Sequence, residues 1–503
     1  MLYRYGQLPV APVIGDEVII NEPAVALSRG QGLIAPGFRD SAFGLDKLYA
    51  HFPPVYIFAE SLAFRAFGVS VYSLRLVTTV MGIASAGFFL LLMGCLCRWG
   101  LADWGTASIA ACLYTLNATM LVLDRLARME STVECLTLGS LLCVLTGIFS
   151  GTGDRSSGTK SQPWTNTDKR RRLIFMLAGA VLAGVSIVTH PEAVTALLPI
   201  MLLILLAAPV SWRNRAFLLA ALGFTPVAIW LGTYGARWKQ AIAEMNAIHR
   251  YTAPPAGILS FARDFSLETH RNISQGMRAT LFVLCLLVMG SILVRWMILK
   301  RTTGMRPRNA KEIASKQLLL TGIFASSAIL SLIPLIWFMA ASITRYQVIF
   351  PIYLAGLVIS LRGISPKKPV VRGAGVMAGI LILTQLCAMV IYLQKDVDPR
   401  GNLSAARFDA IVDSIPPHSR VAVTPMLWLA FQHKDRPVTL LYDRFDGGAT
   451  WLMRSSNPLD QFDAIVVDSS FVDEFAIYSP FAAQGRKKQI FLIGNDVVDL
   501  YQR

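Results

Sequence analysis

Ten mainly apolar stretches constrain this chain more than any other feature: 74–97, 104–123, 132–150, 173–189, 193–209, 216–233, 278–298, 317–340, 347–361 and 373–393. A helix rises about 1.5 Å per residue, so roughly 20 apolar residues cross the hydrocarbon core of a bilayer. The pattern predicts a polytopic α-helical membrane protein with about ten spans, in which the short runs 193–209 and 347–361 also fit re-entrant or tilted segments. Composition agrees, because only 16% of the residues are charged and 54% are hydrophobic, whereas soluble domains carry about 25% charged residues. The cysteines all fall inside apolar runs (Cys95, Cys97, Cys112, Cys135, Cys143, Cys285 and Cys387), with no CxxC pair, and read as small core- or lipid-facing residues.

The net charge of +16 would suit nucleic acid if it were clustered on a soluble surface. Instead it sorts with the loops. If every run crosses, loops 98–103, 151–172, 210–215, 299–316 and 362–372 share one side, and they hold Lys169-Arg170-Arg171-Arg172, Arg213, Arg215, Lys300, Arg301, Arg306, Arg308 and Lys367-Lys368. Segments 1–73, 124–131, 190–192, 234–277 and 341–346 share the other side, with the two signs nearly balanced. The positive-inside rule makes the first set cytoplasmic. Most of the charge is therefore topological, and a nucleic-acid partner is excluded. Segment 1–73 then starts outside with no apolar helix before it, so the scheme expects a further helix upstream.

Three regions follow: an outer N-terminal loop with interfacial helices (1–73), a multi-span region (74–394) and a soluble extracytoplasmic α/β domain (395–503). In the last, the β-branched runs 420–423, 438–441, 464–467 and 489–493 alternate with helical patterns at 404–414 and 425–433, predicting a small parallel α/β domain. No glycine-rich phosphate loop follows a strand, so binding or support of the membrane part suits it better than catalysis.

Four charged clusters lie at the outer ends of spans. Asp16-Glu17 sits in the first loop. Asp124-Arg125-Leu126-Ala127-Arg128-Met129-Glu130 makes a tight turn, and Glu134 follows Glu130 on the same helix face. Thr189-His190-Pro191-Glu192 and Thr344-Arg345-Tyr346 each join two spans. Alone, each has a plain structural reading: solvated loop charges, an interfacial turn of internal ion pairs, a histidine at a helix end, and a snorkelling arginine beside a belt tyrosine. Together they share one side and a similar depth. An acid inside the bilayer costs at least ~2.5 kcal/mol, so Glu134 should face protein or a watery cavity. Pro53-Pro54 starts an apolar, aromatic segment at 55–67 that carries only Glu60 and Arg65 as charges. It is too short to span and reads as a helix lying along the outer leaflet.

This order of features resembles the GT-C glycosyltransferases, and more narrowly the branch of the protein O-mannosyltransferases and the lipid A aminoarabinose transferase. The resemblance covers 1–395: acids in a long first outer loop, a Pro-Pro interfacial helix, Phe67-Gly68, then Arg75-Leu76 opening the next span. Arg125-Leu126-Ala127-Arg128-Met129-Glu130-Ser131 resembles the family's Arg-Met-Asp turn, and Arg345-Tyr346 followed by Pro351 resembles its Arg-Tyr-x-x-x-x-Pro element. The resemblance implies inverting transfer of a sugar from a polyprenyl-phosphate donor to a hydroxyl of a lipid, glycan or protein acceptor, on the outer face of the plasma (inner) membrane. It makes Asp16 the general base with Glu17 beside it, and Arg128, Arg345, His51 and Tyr346 the contacts of the donor phosphate. Glu130 stands where the family has aspartate, with three readings: acceptor orientation, metal binding or pairing with Arg128. Phe52 departs from the pattern, since many members place lysine before the two prolines; His51 is the stand-in. No cofactor is assigned; a divalent metal is left open, without any ligand spacing that calls for one.

The rival class is a secondary transporter or lipid flippase. Transporters place ionisable groups near the midplane and often have two similar halves. Here most acids sit at the outer ends of spans, no repeat stands out, and long outer loops suit an enzyme.

Overall fold

The computed structural model describes residues 15–38, 44–117, 126–150, 166–190, 193–252, 273–303, 308–337, 344–362, 408–441, 458–468, 485–493 and 496–503, with isolated positions between them. Helices dominate the first part. They are α1 (Gly15–Ser28), α2 (Pro54–Phe67), α3 (Val71–Arg98), α4 (Trp104–Thr115), α5 (Glu130–Phe149), α6 (Asn166–Thr189), α7 (Ala193–Leu202), α8 (Trp212–Tyr234), α9 (Trp238–Thr252), α10 (Ile273–Thr303), α11 (Arg308–Trp337) and α12 (Thr344–Leu361). Nine of the ten apolar runs thus coincide with helices, although the helix in run 104–123 ends at Thr115. The tenth run, 373–393, lies largely outside the described residues.

Among the described residues four helices are long and apolar enough to cross a membrane: Val71–Arg98, Glu130–Phe149, Asn166–Thr189 and Trp212–Asn246. Their surroundings differ. Helix α5 is enclosed on most sides, whereas α3 and α8 leave Leu91 58% and Phe224 70% exposed. Rows of exposed leucine and phenylalanine are costly in water and neutral in lipid, so those faces belong against the bilayer.

Small residues let the inner helices approach closely, since lipid supplies no hydrophobic drive between helices. A Cβ on Gly147 of α5 would stand 2.9 Å from the Arg172 carbonyl oxygen, and one on Gly179 of α6 would stand 2.9 Å from that of Ser140. Ser140 Oγ donates to the Gly179 carbonyl at 2.6 Å. On the basic-loop side, Arg215 donates to the carbonyls of Leu205 and Ala208 at 2.6 and 2.7 Å, satisfying acceptors that the end of the α7 segment leaves open.

A helix forms at Pro54–Phe67, where the sequence predicts one. Pro54 occupies its first turn, and Gly68, at φ +74°, ends it in a conformation that L side chains rarely adopt. Ser70 and Ser73 then form a capping box that starts α3. Tyr56, Ile57, Glu60 and Phe64 of α2 are buried, while Phe58, Leu62 and Phe67 are exposed. One protein-facing and one apolar outer face is what a helix lying in the leaflet requires.

Beyond residue 408 the chain builds a small sheet with α13 (Asp409–Asp413) and α14 (Pro425–His433). Its strands are β1 (Val421–Val423), β2 (Thr439–Leu440), β3 (Ala464–Asp468), β4 (Lys487–Ile493) and β5 (Asp496–Gln502), in the order β2-β1-β3-β5-β4. Strands β1, β2 and β3 are parallel, as expected, but β5 pairs antiparallel with both β3 and β4. The all-parallel expectation is corrected for a simple reason. Only residues 494–495 separate β4 from β5, and so short a link permits only a hairpin.

This sheet unit packs on the N-terminal helices. Val18, Val25, Ile57 and Phe64 share one core with Trp428, Phe431 and Val466. Arg29, just past the end of α1, donates to the Gln432 carbonyl and to Asp435, both at 2.7 Å. Glu22 is buried at the seam, accepting from Gly37 N–H at 2.7 Å and from the Trp428 indole N–H. Burial pushes its carboxyl up to about 6, with the Gly37 and Trp428 donors holding it back.

Candidate active site

The first loop and the charged turn meet through Glu17. It is buried in α1 and takes a fork from Arg75 of α3: Nε to Oε1 and Nη2 to Oε2, both 2.9 Å. The Ala127 N–H donates to the same Oε1 at 2.7 Å. One turn on, Asn21 Nδ2 donates to the Ala127 carbonyl at 3.0 Å. The backbone of Ala127 is thus held on both its donor and its acceptor by α1, and Thr78 Oγ1 of α3 donates to the Arg128 carbonyl at 3.2 Å. Asp16 precedes Glu17 on α1, so its backbone is anchored to this turn; its side chain lies outside the described residues.

Arg128 and Glu130 form a second fork, with Nη2 to Oε1 at 2.7 Å and Nε to Oε1 and Oε2 at 3.1 and 3.3 Å. Of the three readings of Glu130, the pairing is the one observed. Among the described residues no group of three His, Cys, Asp or Glu side chains is placed to hold a metal. Glu134 shares the buried face of α5 but belongs to a different network. It accepts from Tyr114 Oη and, at 3.0 Å, from Gln347 Nε2, which also reaches Asp124 Oδ1 at 2.8 Å and Ser131 Oγ at 3.0 Å. The start of α12 therefore stands beside the turn. Arg345 and Tyr346 lie in that first turn of α12, with side chains outside the described residues.

The 49–52 segment closes the site from another direction. The His51 and Phe52 rings are 4.2 Å apart by centroids, and the Phe52 ring lies over that of His190 at 6.5 Å with 29° between planes. His190, at the end of α6, acts electrostatically on both His51 and Glu130. Burial pushes His51 down to about 3, with His190 adding to the fall. His51 is therefore neutral near pH 7 and can donate a hydrogen bond but brings no charge. Helix α9 supports the segment from outside, Glu244 Oε1 accepting from the Ala50 N–H at 2.8 Å.

Three features escaped the sequence reading. The Glu17–Arg75 pair joins residues 58 apart, with no local signal. His190 stands beside the first loop rather than only at a helix end. Glu60 of α2 turns inward and accepts from Tyr56 Oη at 2.6 Å, and burial holds its carboxyl well above the usual range. The spacing of Tyr56 and Glu60, four apart on a helix, was the one available hint.

The arrangement of apolar helices, the Pro54–Phe67 helix and a terminal sheet unit is a fold that a solved membrane protein shares. The crystal structure of ArnT from Cupriavidus metallidurans bound to undecaprenyl phosphate superposes with a TM-score of 0.57 at 14% identity, over 99% of this chain and 96% of that one. The apo form of the same protein gives 0.57 at 13% with the same coverage. The arabinofuranosyltransferase AftD from Mycobacteria gives 0.46 at 15%, over 100% of this chain and 39% of that one, a looser likeness from which nothing follows. No family model and no curated protein matches the sequence.

Proposed function

We propose that this protein is a membrane glycosyltransferase of about ten spans that moves a sugar from a polyprenyl-phosphate donor to an acceptor hydroxyl, with inversion, at the extracytoplasmic face. The observation that carries the reading is the shared fold with ArnT along 99% of the chain, combined with the convergence of α1, the 126–130 turn, the 49–52 segment and His190.

In this reading Asp16 takes the acceptor proton as its oxygen attacks the anomeric carbon. The bond from that carbon to the phosphate oxygen breaks, and its electron pair stays on the lipid phosphate. That leaving group needs positive charge and N–H donors more than an acid, and Arg128 and Arg345 supply the charge. His51 contributes a neutral N–H, and Tyr346 a hydroxyl. Glu17 holds α1 in register, and Glu130 orients Arg128. The sheet domain sits on the same side as the first loop and stabilises it.

Two measurements test this. Mass spectrometry of the purified protein should find a polyprenyl-phosphate sugar or its polyprenyl phosphate; a purely ion- or solute-loaded protein would favour a transporter. In a cysteine-free background, a cysteine at Gln489 should react with an impermeant thiol reagent on intact cells, and one at Lys169 only after permeabilisation. The opposite labelling would reverse the orientation.

A further inference from the structure

We propose that His190 is a donor-phosphate ligand, held in place by the Phe52 ring and working beside the Arg128–Glu130 fork. The proposal rests on the glycosyltransferase reading and adds a residue to its site.

The described cations at the site are partly spent. Arg75 is bound to buried Glu17, and Arg128 shares its charge with Glu130. His51 is buried and neutral. His190 is half-buried at the junction of α6 and α7. Its backbone is pinned there, its N–H donating to the Ser186 carbonyl at 3.0 Å and its carbonyl accepting from Ala193 N–H at 3.0 Å. Its ring is stacked on Phe52 from the first loop and acts on Glu130 from α5. An aromatic face suits a cationic ring. His190 is thus built into the meeting point of the three segments rather than left to face solvent.

The chemistry asks for such a group. When the sugar–phosphate bond breaks, the phosphodiester becomes a monoester, and the departing oxygen gains the electron pair. An imidazolium N–H aimed at that oxygen meets charge that develops during transfer, where it counts most. Its titratable neighbours include His51 from the first loop and Glu130 of α5, whose partner Arg128 lies in the preceding turn.

The test uses the full chain in detergent with a fluorescent polyprenyl phosphate, read by anisotropy at pH 6 and pH 8.5. At pH 6, His190→Asn should weaken binding about tenfold, the scale of a charge-assisted hydrogen bond. A contact made through charge predicts a smaller gap at pH 8.5. Comparing the variant with wild type at each pH cancels the titration of the phosphate itself. His190→Arg should restore binding to within about threefold at both pH values. Wild-type affinity in His190→Asn overturns the assignment while leaving the glycosyltransferase reading intact. Equal weakening at both pH values without rescue by arginine also overturns it, by making His190 merely structural. Failure of the wild type to bind the probe at all would sink the glycosyltransferase reading itself.

Discussion

Asp16→Asn should abolish sugar transfer from a labelled polyprenyl-phosphate donor while leaving the protein folded. The substitution keeps size and shape but removes the ability to accept a proton. A positioned general base contributes on the order of 10²–10⁴-fold, so turnover should fall at least into that range. Binding of donor and thermal unfolding should change little, because the substitution leaves Glu17, Arg75 and Ala127 and their hydrogen bonds in place. The geometry strengthens the choice between the two adjacent acids. Both Glu17 oxygens accept from donors of the fold, so that carboxylate is engaged in holding α1 to the 126–130 turn. Retained turnover in Asp16→Asn would move the base elsewhere.

Arg75→Met should strongly destabilise the protein. Arg75 and Glu17 are 5% and 0% exposed, so removing the guanidinium strands a buried carboxylate. Breaking such a pair from one side costs about 3–5 kcal/mol. Arg75→Lys should recover only part of that, because an ammonium cannot reproduce the two parallel hydrogen bonds. The double change Arg75→Met with Glu17→Leu should be more stable than Arg75→Met alone, since no unpaired charge remains. Transfer should nevertheless stay low in the double variant, because α1 loses its register against the 126–130 turn. Thermal unfolding in detergent measures the first effect and the donor assay the second. An Arg75→Met protein that melts with the wild type would show that the pair contributes nothing.

These expectations divide according to the range of the physics behind them. Spans 74–97 and 132–150 were legible because an apolar run of that length has one low-energy home. The α2 helix was legible from Pro53-Pro54 and Gly68, which act within one turn of themselves. Strands β1 to β4 were visible as β-branched runs. Strand β5 was not, because Asp496–Gln502 mixes acids with its valines and gains its place by pairing with β3 and β4. The site was half legible. Asp16, Glu17, Arg128 and Glu130 stood out as charges near apolar runs, yet Glu17's partner could not be read across 58 residues.

What the sequence determined by itself is therefore local and one-dimensional: which segments prefer lipid, where helices begin and end, and which turns concentrate charge. Hydropathy, proline and glycine act within a few residues, so they survive in a linear reading. Only the tertiary structure decided which charges are spent on holding the fold and which remain for chemistry. Burial neutralises His51, ties up Glu17 and brings His190 against Phe52. Each depends on distances of a few ångströms between residues far apart in the chain, because desolvation and ion pairing are set by what lies across the fold.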